Sequence, residues 1–285
     1  MNVFGDSIHQ GAPMIYDIQK ASLTKRLSAF LFDFVLMTIL VTGFMLLLST
    51  ILGYDGYSQS LQDRLISINE KHHISELEEK YKDFEEYVVD FQQYQYMLEE
   101  ERAALPEEVR TAFNACLDEI NKDEEAIRLY ATIMNLSLVI LSCSILLSYL
   151  VLEFAVPLAL KNGQTLGKKI FSIALMRSDC VKISPMVLFI RTILGKYTIS
   201  TMVPALMLLM LLFGAAPIMP LAVILLILVL QVVIMITSKT NSLIHDSLAS
   251  TVVVDLQSQM IFDSPEALNE YKLRLHREDA EKAEY

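Results

Sequence analysis

The chain has 285 residues, of which 53% are hydrophobic, yet it carries a formal net charge of −11. These two properties conflict in a water-soluble domain, and the order of the residues resolves the conflict. Four long runs contain Asp33 as their single charged residue. They cover residues 27–52, 131–152, 198–216 and 221–237. A one-domain water-soluble protein is therefore excluded.

The runs predict an all-α fold, a polytopic transmembrane helical protein with about four spans. A hydrocarbon core about 30 Å thick needs about 20 helical residues, and each run is long enough. Gly214, Pro217 and Pro220 interrupt an apolar stretch that is too long for one helix, so it is divided in two. The predicted spans are residues 27–53, 131–158, 192–214 and 217–237.

The short flanks of the spans predict the orientation of the chain. Lys25 and Arg26 precede the first span, and residues 159–191, between the second and third spans, are rich in Lys and Arg. Flanks of this kind face the cytoplasm. Both ends of the chain, residues 1–26 and 238–285, are therefore expected in the cytoplasm.

The connection between the first two spans, residues 54–130, predicts an acidic extracytoplasmic insert. Residues 54–126 hold 20 Asp or Glu against 7 Lys or Arg. From Ile74 to Leu98 apolar side chains recur at heptad spacing, which predicts a coiled-coil seam. A break is expected near residues 71–73, and Leu105-Pro106-Glu107 predicts a stop and a new helix start. The insert is thus predicted to be a helical hairpin.

Three seam positions are aromatic, namely Tyr81, Phe84 and Phe91. A shorter returning helix cannot readily cover all of them, which leaves an apolar patch for a protein partner or a second copy of the chain. Two interpretations stay open at this point. The seams bury each other in a self-contained hairpin, or the hairpin is a docking arm.

The loop at residues 159–191 is predicted to be a basic amphipathic element that lies on anionic lipid headgroups through Lys161, Lys168 and Lys169. Its glycine-lysine string does not have the spacing of a nucleotide phosphate loop. Ser184-Pro185 predicts a helix start at the end of this loop.

The segment after the fourth span has two predicted elements. Its valine run at Val252, Val253 and Val254 is typical of a strand. Ser264-Pro265 predicts the start of a charged helix that extends to about Lys282.

Three separated pieces of the chain share one further pattern. The pieces are residues 21–33 with Arg26 and Asp33; residues 162–169, followed by Arg191 and Lys196; and His245-Asp246 with Ala249 and residues 251–254. Together they resemble the RDD family of small bacterial and archaeal membrane proteins, which is named for one arginine and two aspartates. The chain differs from the family pattern at Ser250, where the family usually has Gly, and in its much longer insert.

The resemblance implies a multi-pass protein of the bacterial plasma (inner) membrane. Transport has been suggested for some members of the family. The three pieces bracket most of the chain outside the insert, and their order and spacing to the spans agree, so the resemblance implies the topology.

Ionisable side chains within a membrane are costly and need a partner or a wet cavity. Asp33 and Glu153 lie at similar depths in the inner halves of the first and second spans. The predicted polar layer comprises Arg26, Asp33, Glu153, Arg191, Lys196, Gln231, His245 and Asp246. One interpretation is a structural network in which Arg26 or Arg191 neutralises Asp33 and Glu153. A second is a proton or cation site, and a third is a site for a lipid headgroup.

Two functions follow from these features. The first is transport of a small ion or solute through the polar layer. The alternative is a non-enzymatic scaffold or accessory protein that recruits partners through the insert. No catalytic residue, cofactor, metal site or nucleic-acid surface is expected, and an enzyme is not expected. Adjacent His72 and His73 point to different helix faces, which disfavours a zinc site there.

Overall fold

A computed structural model describes residues 17–82, 89–160, 162–212, 218–238 and 240–283. The chain divides into two compact units. Residues 1–44 with 142–285 form the first, here called the membrane unit, and residues 45–141 form the second, here called the insert unit.

Helices make up most of the described residues. In chain order they are α1 (Leu23–Ile51), α2 (Tyr54–Lys71), α3 (Ile74–Lys80), α4 (Phe91–Tyr94), α5 (Glu99–Ala104), α6 (Glu107–Lys122), α7 (Glu124–Tyr149), α8 (Val156–Ala159), α9 (Leu166–Ile170), α10 (Pro185–Phe189), α11 (Val203–Leu212), α12 (Ile218–Thr237), α13 (Ile244–Leu248) and α14 (Pro265–Ala283). Two strands, β1 (Ile173–Arg177) and β2 (Thr251–Asp255), form a small sheet.

Four continuous helical stretches are long and apolar enough to cross a membrane. They are Leu23–Ile51, Glu124–Ala159, Pro185–Leu212 and Ile218–Thr237. Each overlaps one of the predicted runs, so the predicted class of a polytopic helical membrane protein is confirmed. The small sheet departs from a purely all-α fold.

Two of the membrane-length stretches change their winding part-way. The π-helical segment Leu150–Ala155 joins α7 to α8, and a second π-helical segment, Ile190–Met202, joins α10 to α11. A π-helical turn holds more residues than an α-helical turn, and such turns are frequent at functional sites. They place unusual backbone in the second and third stretches.

The sheet joins the loop after the second span to the segment after the fourth. β1 and β2 are antiparallel, with Leu175 opposite Val253. One face packs against Ala21, Ala29 and Leu188, and the other face packs in a second apolar cluster. The strand predicted from the valine run is confirmed.

The loop at residues 159–191 does not form the predicted surface element. Its residues 173–176 are buried on both faces of the sheet. The β-branched valines of β2 offer a partner strand, and pairing satisfies backbone groups that a surface element would leave to water. The loop is therefore part of the folded membrane unit.

Both predicted serine helix starts are confirmed. The Ser184 hydroxyl accepts a hydrogen bond from the Val187 amide (3.3 Å), and the Ser264 hydroxyl accepts one from the Ala267 amide (3.2 Å). Each serine satisfies an amide of the first helical turn, which has no partner within the helix.

The insert unit has an apolar core of its own, in which Val109, Phe113 and Cys116 are fully buried. α2 and α3 pack against α6. The predicted break is confirmed, because α2 ends at Lys71 and His73 has a left-handed backbone (φ 55°). The predicted restart is also confirmed, with α6 beginning at Glu107 after Pro106.

The predicted coiled-coil seam from Ile74 to Leu98 does not form one continuous helix. α3 ends at Lys80, and at Asp90 the backbone is extended before α4 begins. Phe91 is only 8% exposed, and its ring meets that of Phe113 edge-to-face, with centroids 5.1 Å apart. The chain turns so that seam residues point into one core.

The predicted aromatic docking patch does not form as expected. Phe91 is not available to a partner because it lies in the core. Tyr81 is partly buried, and its hydroxyl donates to the Glu108 carboxylate (2.9 Å). Phe84 lies outside the described residues.

Candidate functional site

The centre of the membrane unit is an ion pair between Arg191 and Asp246. Arg191 Nε and Nη2 donate to the same carboxylate oxygen, at 3.0 and 2.5 Å. The two side chains are 2% and 5% exposed, so water contributes little to their solvation. The pair joins the third membrane-length helix to α13.

The electrostatics of α13 follow from this pair. Burial is the largest single cause and would raise the pKa of Asp246, but the positive charge of Arg191, its hydrogen bond and the other lowering interactions together hold this pKa well below its usual range. Burial, followed by the Arg191 charge, lowers the pKa of the neighbouring His245 to about 3. At neutral pH the aspartate is charged and the histidine is neutral.

A second ion pair joins the two π-helical segments. Lys196 Nζ lies 2.5 Å from a carboxylate oxygen of Glu153. The Thr192 hydroxyl donates to the Glu153 backbone oxygen (3.0 Å). Glu153 therefore pairs with Lys196, and the predicted partners Arg26 and Arg191 are wrong for this carboxylate.

Asp33 is held by the loop rather than by an arginine. Its carboxylate accepts a hydrogen bond from the Thr165 hydroxyl (2.5 Å) and one from the Gly167 amide (2.8 Å). A side chain at position 167 would collide with the Ala29 backbone and come within 2.9 Å of Asp33. The expected pairing of Asp33 with an arginine is therefore wrong, because Gly167 brings loop backbone against α1.

Arg26 binds backbone carbonyls instead of a carboxylate. Its guanidinium donates to the oxygens of Val253 (2.7 Å), Asn241 (3.0 Å) and Thr240 (3.3 Å). These carbonyls belong to the segment after the fourth span. Arg26 thus ties the start of α1 to that segment.

Lys168 is buried, at 8% exposure, so it does not lie on the surface of the loop as predicted. Thr165 caps α9 by accepting from the Lys168 amide (3.3 Å), which turns Gly167 and Lys168 inward. Lys169 is exposed, in agreement with its predicted place on the surface of the loop, and Lys161 lies outside the described residues.

The Lys168 ammonium has neither a hydrogen bond nor an ion pair with the described part of the chain. Burial lowers the pKa of Lys168 to about 7. The charge of Arg191 acts in the same direction, whereas those of Glu153 and Asp33 oppose it. This lysine is therefore poised between its charged and neutral forms near neutral pH.

Several other polar atoms of the membrane unit are buried without a hydrogen-bond partner in the described residues. They are Arg26 Nε, Ser144 Oγ, Arg191 Nη1, Gln231 Oε1 and His245 Nδ1. Gln231 was predicted to join the layer, but its side-chain oxygen has no hydrogen bond to another member in this structure. Of the eight predicted members, the structure joins four in the Arg191–Asp246 and Lys196–Glu153 pairs, whereas Arg26 and Asp33 bind other residues.

The same residues carry the likeness to known proteins. The model of the RDD family matches residues 20–250. The chain belongs to the RDD family. The matched range holds every residue of the ion pairs described above. No curated protein and no solved structure gives a significant match to the chain.

One departure from the RDD pattern lies at a turn with left-handed backbone. Ser250, where the family usually has Gly, has a left-handed backbone (φ 50°) between α13 and β2. Non-glycine residues adopt this conformation at a cost. The chain makes the same turn with serine.

The third membrane-length helix also needs glycine for space. A Cβ atom added at Gly195 would lie 2.5 Å from the His245 Cβ and 2.8 Å from its Cα. Gly195 therefore lets the π-helical segment and α13 approach closely, which places Arg191 within reach of Asp246.

Sequence reasoning missed Thr165, Gly167, Thr192 and Gly195 as supports of the charged side chains. The signal for two of them was present in residues 162–169, the second RDD piece. A glycine beside lysines was read as a surface string, because hydrogen bonding between a loop and a distant helix leaves no periodicity in the sequence.

Proposed function

We propose that this RDD-family protein moves a small ion or solute across a membrane through its layer of buried charges. The observation that carries the proposal is the Glu153–Lys196 pair, which lies where both membrane-length helices are π-helical. Buried ionisable groups within membrane helices are costly, and they mark ion pathways and proton relays. π-helical turns supply local adaptability at such sites.

Polar groups continue from this pair along the second helix. Ser144 and Ser148 are fully buried at a spacing of one turn, and the Ser144 hydroxyl oxygen has no hydrogen-bond partner in the described part of the chain. Tyr149, one turn before Glu153, shares a hydrogen bond with the Thr201 hydroxyl (2.8 Å). Because hydroxyls can donate and accept hydrogen bonds, they can coordinate an ion or relay a proton as it moves from one binding position to the next.

In the proposed mechanism Lys196 and the transported species exchange places at Glu153. With the pair closed, the lysine neutralises the carboxylate. When the pair opens, the Glu153 carboxylate is free for a cation or proton, and the Lys196 ammonium is free for an anion. The wide turns around both residues accommodate the change in side-chain position.

The test compares Glu153→Gln with Glu124→Gln, an exposed glutamate at the other end of the same helix. In proteoliposomes, pH- and ion-dependent flux should disappear for Glu153→Gln and persist for Glu124→Gln. Stability is followed by alkylation of the buried Cys180 during heating. Flux that survives Glu153→Gln would remove this residue from the pathway.

A double variant separates transport from structure. Replacing both partners of a buried ion pair with uncharged groups is often nearly neutral for stability. Glu153→Gln with Lys196→Met should therefore fold like the wild type but remain without flux. Recovery of flux in this double variant would show that the pair is structural.

The proposal includes the orientation inferred from Lys and Arg in the flanks: a multi-pass protein of the bacterial plasma membrane with both termini in the cytoplasm. Ser58 and Ser178 are exposed and suit cysteine labelling after the native cysteines are replaced. Ser58→Cys should react with an impermeant reagent from outside, and Ser178→Cys only after permeabilisation. The opposite pattern would invert the topology.

A second candidate is a scaffold that recruits a protein through the insert. The insert unit favours it, because this unit is compact and has its own apolar core. Replacing residues 59–121 with a short linker should then leave membrane insertion and abundance nearly intact and abolish co-purification of a partner. Loss of flux in the same deletion would instead tie the insert to transport.

A further inference from the structure

The charged layer contains more basic than acidic side chains. Its basic members in the described residues are Arg26, Lys168, Arg191 and Lys196, and its carboxylates are Asp33, Glu153 and Asp246. Each carboxylate already accepts hydrogen bonds from the protein. With Lys168 protonated, the layer therefore carries one positive charge that no carboxylate balances.

The surplus is accompanied by unused donors. Arg191 is 2% exposed, and its Nη1 has no partner among the described residues, although Nε and Nη2 are bound to Asp246. Lys168, itself 8% exposed, has an ammonium that likewise lacks a partner there. Buried cationic donors without acceptors are costly, and an anion would satisfy them.

We propose that the layer binds a phosphate group, whose oxygens accept hydrogen bonds from Arg191 Nη1 and from the Lys168 ammonium. A phosphate group with a single negative charge balances the surplus. Guanidinium and ammonium donors together bind oxyanions strongly and with defined geometry. The group can belong to a phospholipid headgroup or to a soluble phosphate compound.

This inference rests on the same layer as the proposed transport and names the chemistry of its ligand. Binding is measured without flux, so the two proposals can fail separately. Phosphate binding without phosphate-dependent flux would support the phosphate site and show that this site does not serve transport. Flux of another ion without phosphate binding would support transport and contradict the phosphate site.

The first arm uses inorganic phosphate and the full-length protein in an uncharged detergent at about pH 6, where Lys168 is protonated. Lys168→Met removes the surplus charge, and Lys272→Met, at an exposed lysine of α14, is the matched control. Calorimetry should show binding at least about tenfold weaker for Lys168→Met, as loss of a charge-assisted hydrogen bond implies. The control should stay within about twofold, since a surface charge contributes little.

The second arm distinguishes the source of the phosphate. The protein is purified from nanodiscs that contain phosphatidylglycerol and phosphatidylcholine, and retained lipid is counted by native mass spectrometry. Retention of phosphatidylglycerol by the wild type and Lys272→Met, but not by Lys168→Met, supports a headgroup as the ligand. Phosphate binding without retained lipid supports a soluble phosphate compound.

A third measurement uses only the wild-type protein, so it does not depend on whether a variant folds. Acetylation of Lys168 should slow in phosphate relative to chloride at equal ionic strength, while acetylation of Lys272 stays unchanged. Equal rates at Lys168 in both salts, with no bound phosphate and no retained lipid, overturn the proposal. Equal losses in Lys168→Met and Lys272→Met overturn it as well.

Discussion

The two units of this protein place the same kinds of side chain in opposite positions. In the insert unit the apolar Phe113 is fully buried, and the Lys80–Glu108 pair is 55% exposed on both sides. In the membrane unit Leu208 is 54% exposed, and the Arg191–Asp246 pair is nearly inaccessible. Between its two membrane-length helices the insert unit has the arrangement of a water-soluble domain, and the membrane unit has that of a protein in lipid.

This comparison shows how the contribution of an ion pair to stability differs between an exposed and a buried position. An exposed pair competes with water and contributes little, whereas a buried pair becomes indispensable once formed because either partner alone is a charge without solvation. Native cysteines allow the units to be followed separately, since Cys116 is buried in the insert unit and Cys180 in the membrane unit. Alkylation resolved by mass spectrometry reports each unit in the full chain.

The largest effect is expected from breaking the buried pair. Asp246→Ala leaves Arg191 charged and buried, which costs about 3 to 5 kcal/mol. Arg191→Met together with Asp246→Leu should recover most of this loss, because no buried charge remains at the pair. Alkylation of Cys180 in increasing urea measures both variants. A double variant as unstable as the single one would mean that the pair does more than neutralise its members.

The next effect tests whether the insert unit is stabilised by an ordinary apolar core. Ile68 is 2% exposed and Ile66 is 45% exposed on the same helix, α2. Ile68→Ala should cost about 2 to 5 kcal/mol, read as earlier alkylation of Cys116, whereas Ile66→Ala should change little. Earlier alkylation of Cys180 in Ile68→Ala would contradict the independence of the two units.

A smaller effect is expected where helices meet closely in the membrane unit. Gly195→Ala forces a methyl group against the Cα and Cβ of His245, which should cost about 1 to 3 kcal/mol. Gly43→Ala is the control, because a Cβ at Gly43 meets nothing within 4 Å. It should be neutral or stabilise α1 by up to about 1 kcal/mol. Urea midpoints from Cys180 alkylation compare the two variants.

The smallest effect concerns a surface pair of the insert unit. Arg64 donates to Asp123 through Nε and Nη2, and the Asp123 carboxylate also accepts from the Ala126 amide (2.7 Å). The hydrogen bond from Arg64 comes first among the causes that lower the pKa of Asp123 to about 2. The pair therefore contributes stability above the unfolded pKa of about 4, and this contribution is lost as the pH falls towards 2.

Asp123→Asn checks this sign. The variant should be slightly less stable than the wild type at pH 7, and the difference should vanish near pH 2. A pyridyl disulfide, which reacts with thiols in acid, reports Cys116 over the whole range. A difference that grows towards low pH would contradict the assignment of the shift to the folded state.

Much of the fold could be predicted from local patterns. Long apolar runs identify the four helices, and Ser-Pro pairs identify two helix starts, because hydrophobicity and capping act within a few residues. The heptad spacing from Ile74 to Leu98 does not indicate one long helix, since short helices around one core bury several of the same residues, namely Ile74, Leu77 and Phe91. A period in the sequence states which residues are buried, not whether the helix between them is continuous.

The candidate site divides in the same way. The sequence determined which charged side chains lie within the membrane unit, because an Asp or Glu inside an apolar run is costly and stands out. Only the tertiary structure decided the partners: Arg191 with Asp246, Lys196 with Glu153, and Asp33 with Thr165 and Gly167. Composition and spacing fix the solvent that each segment prefers. A hydrogen bond joins atoms about 3 Å apart, and that distance depends on how distant segments pack.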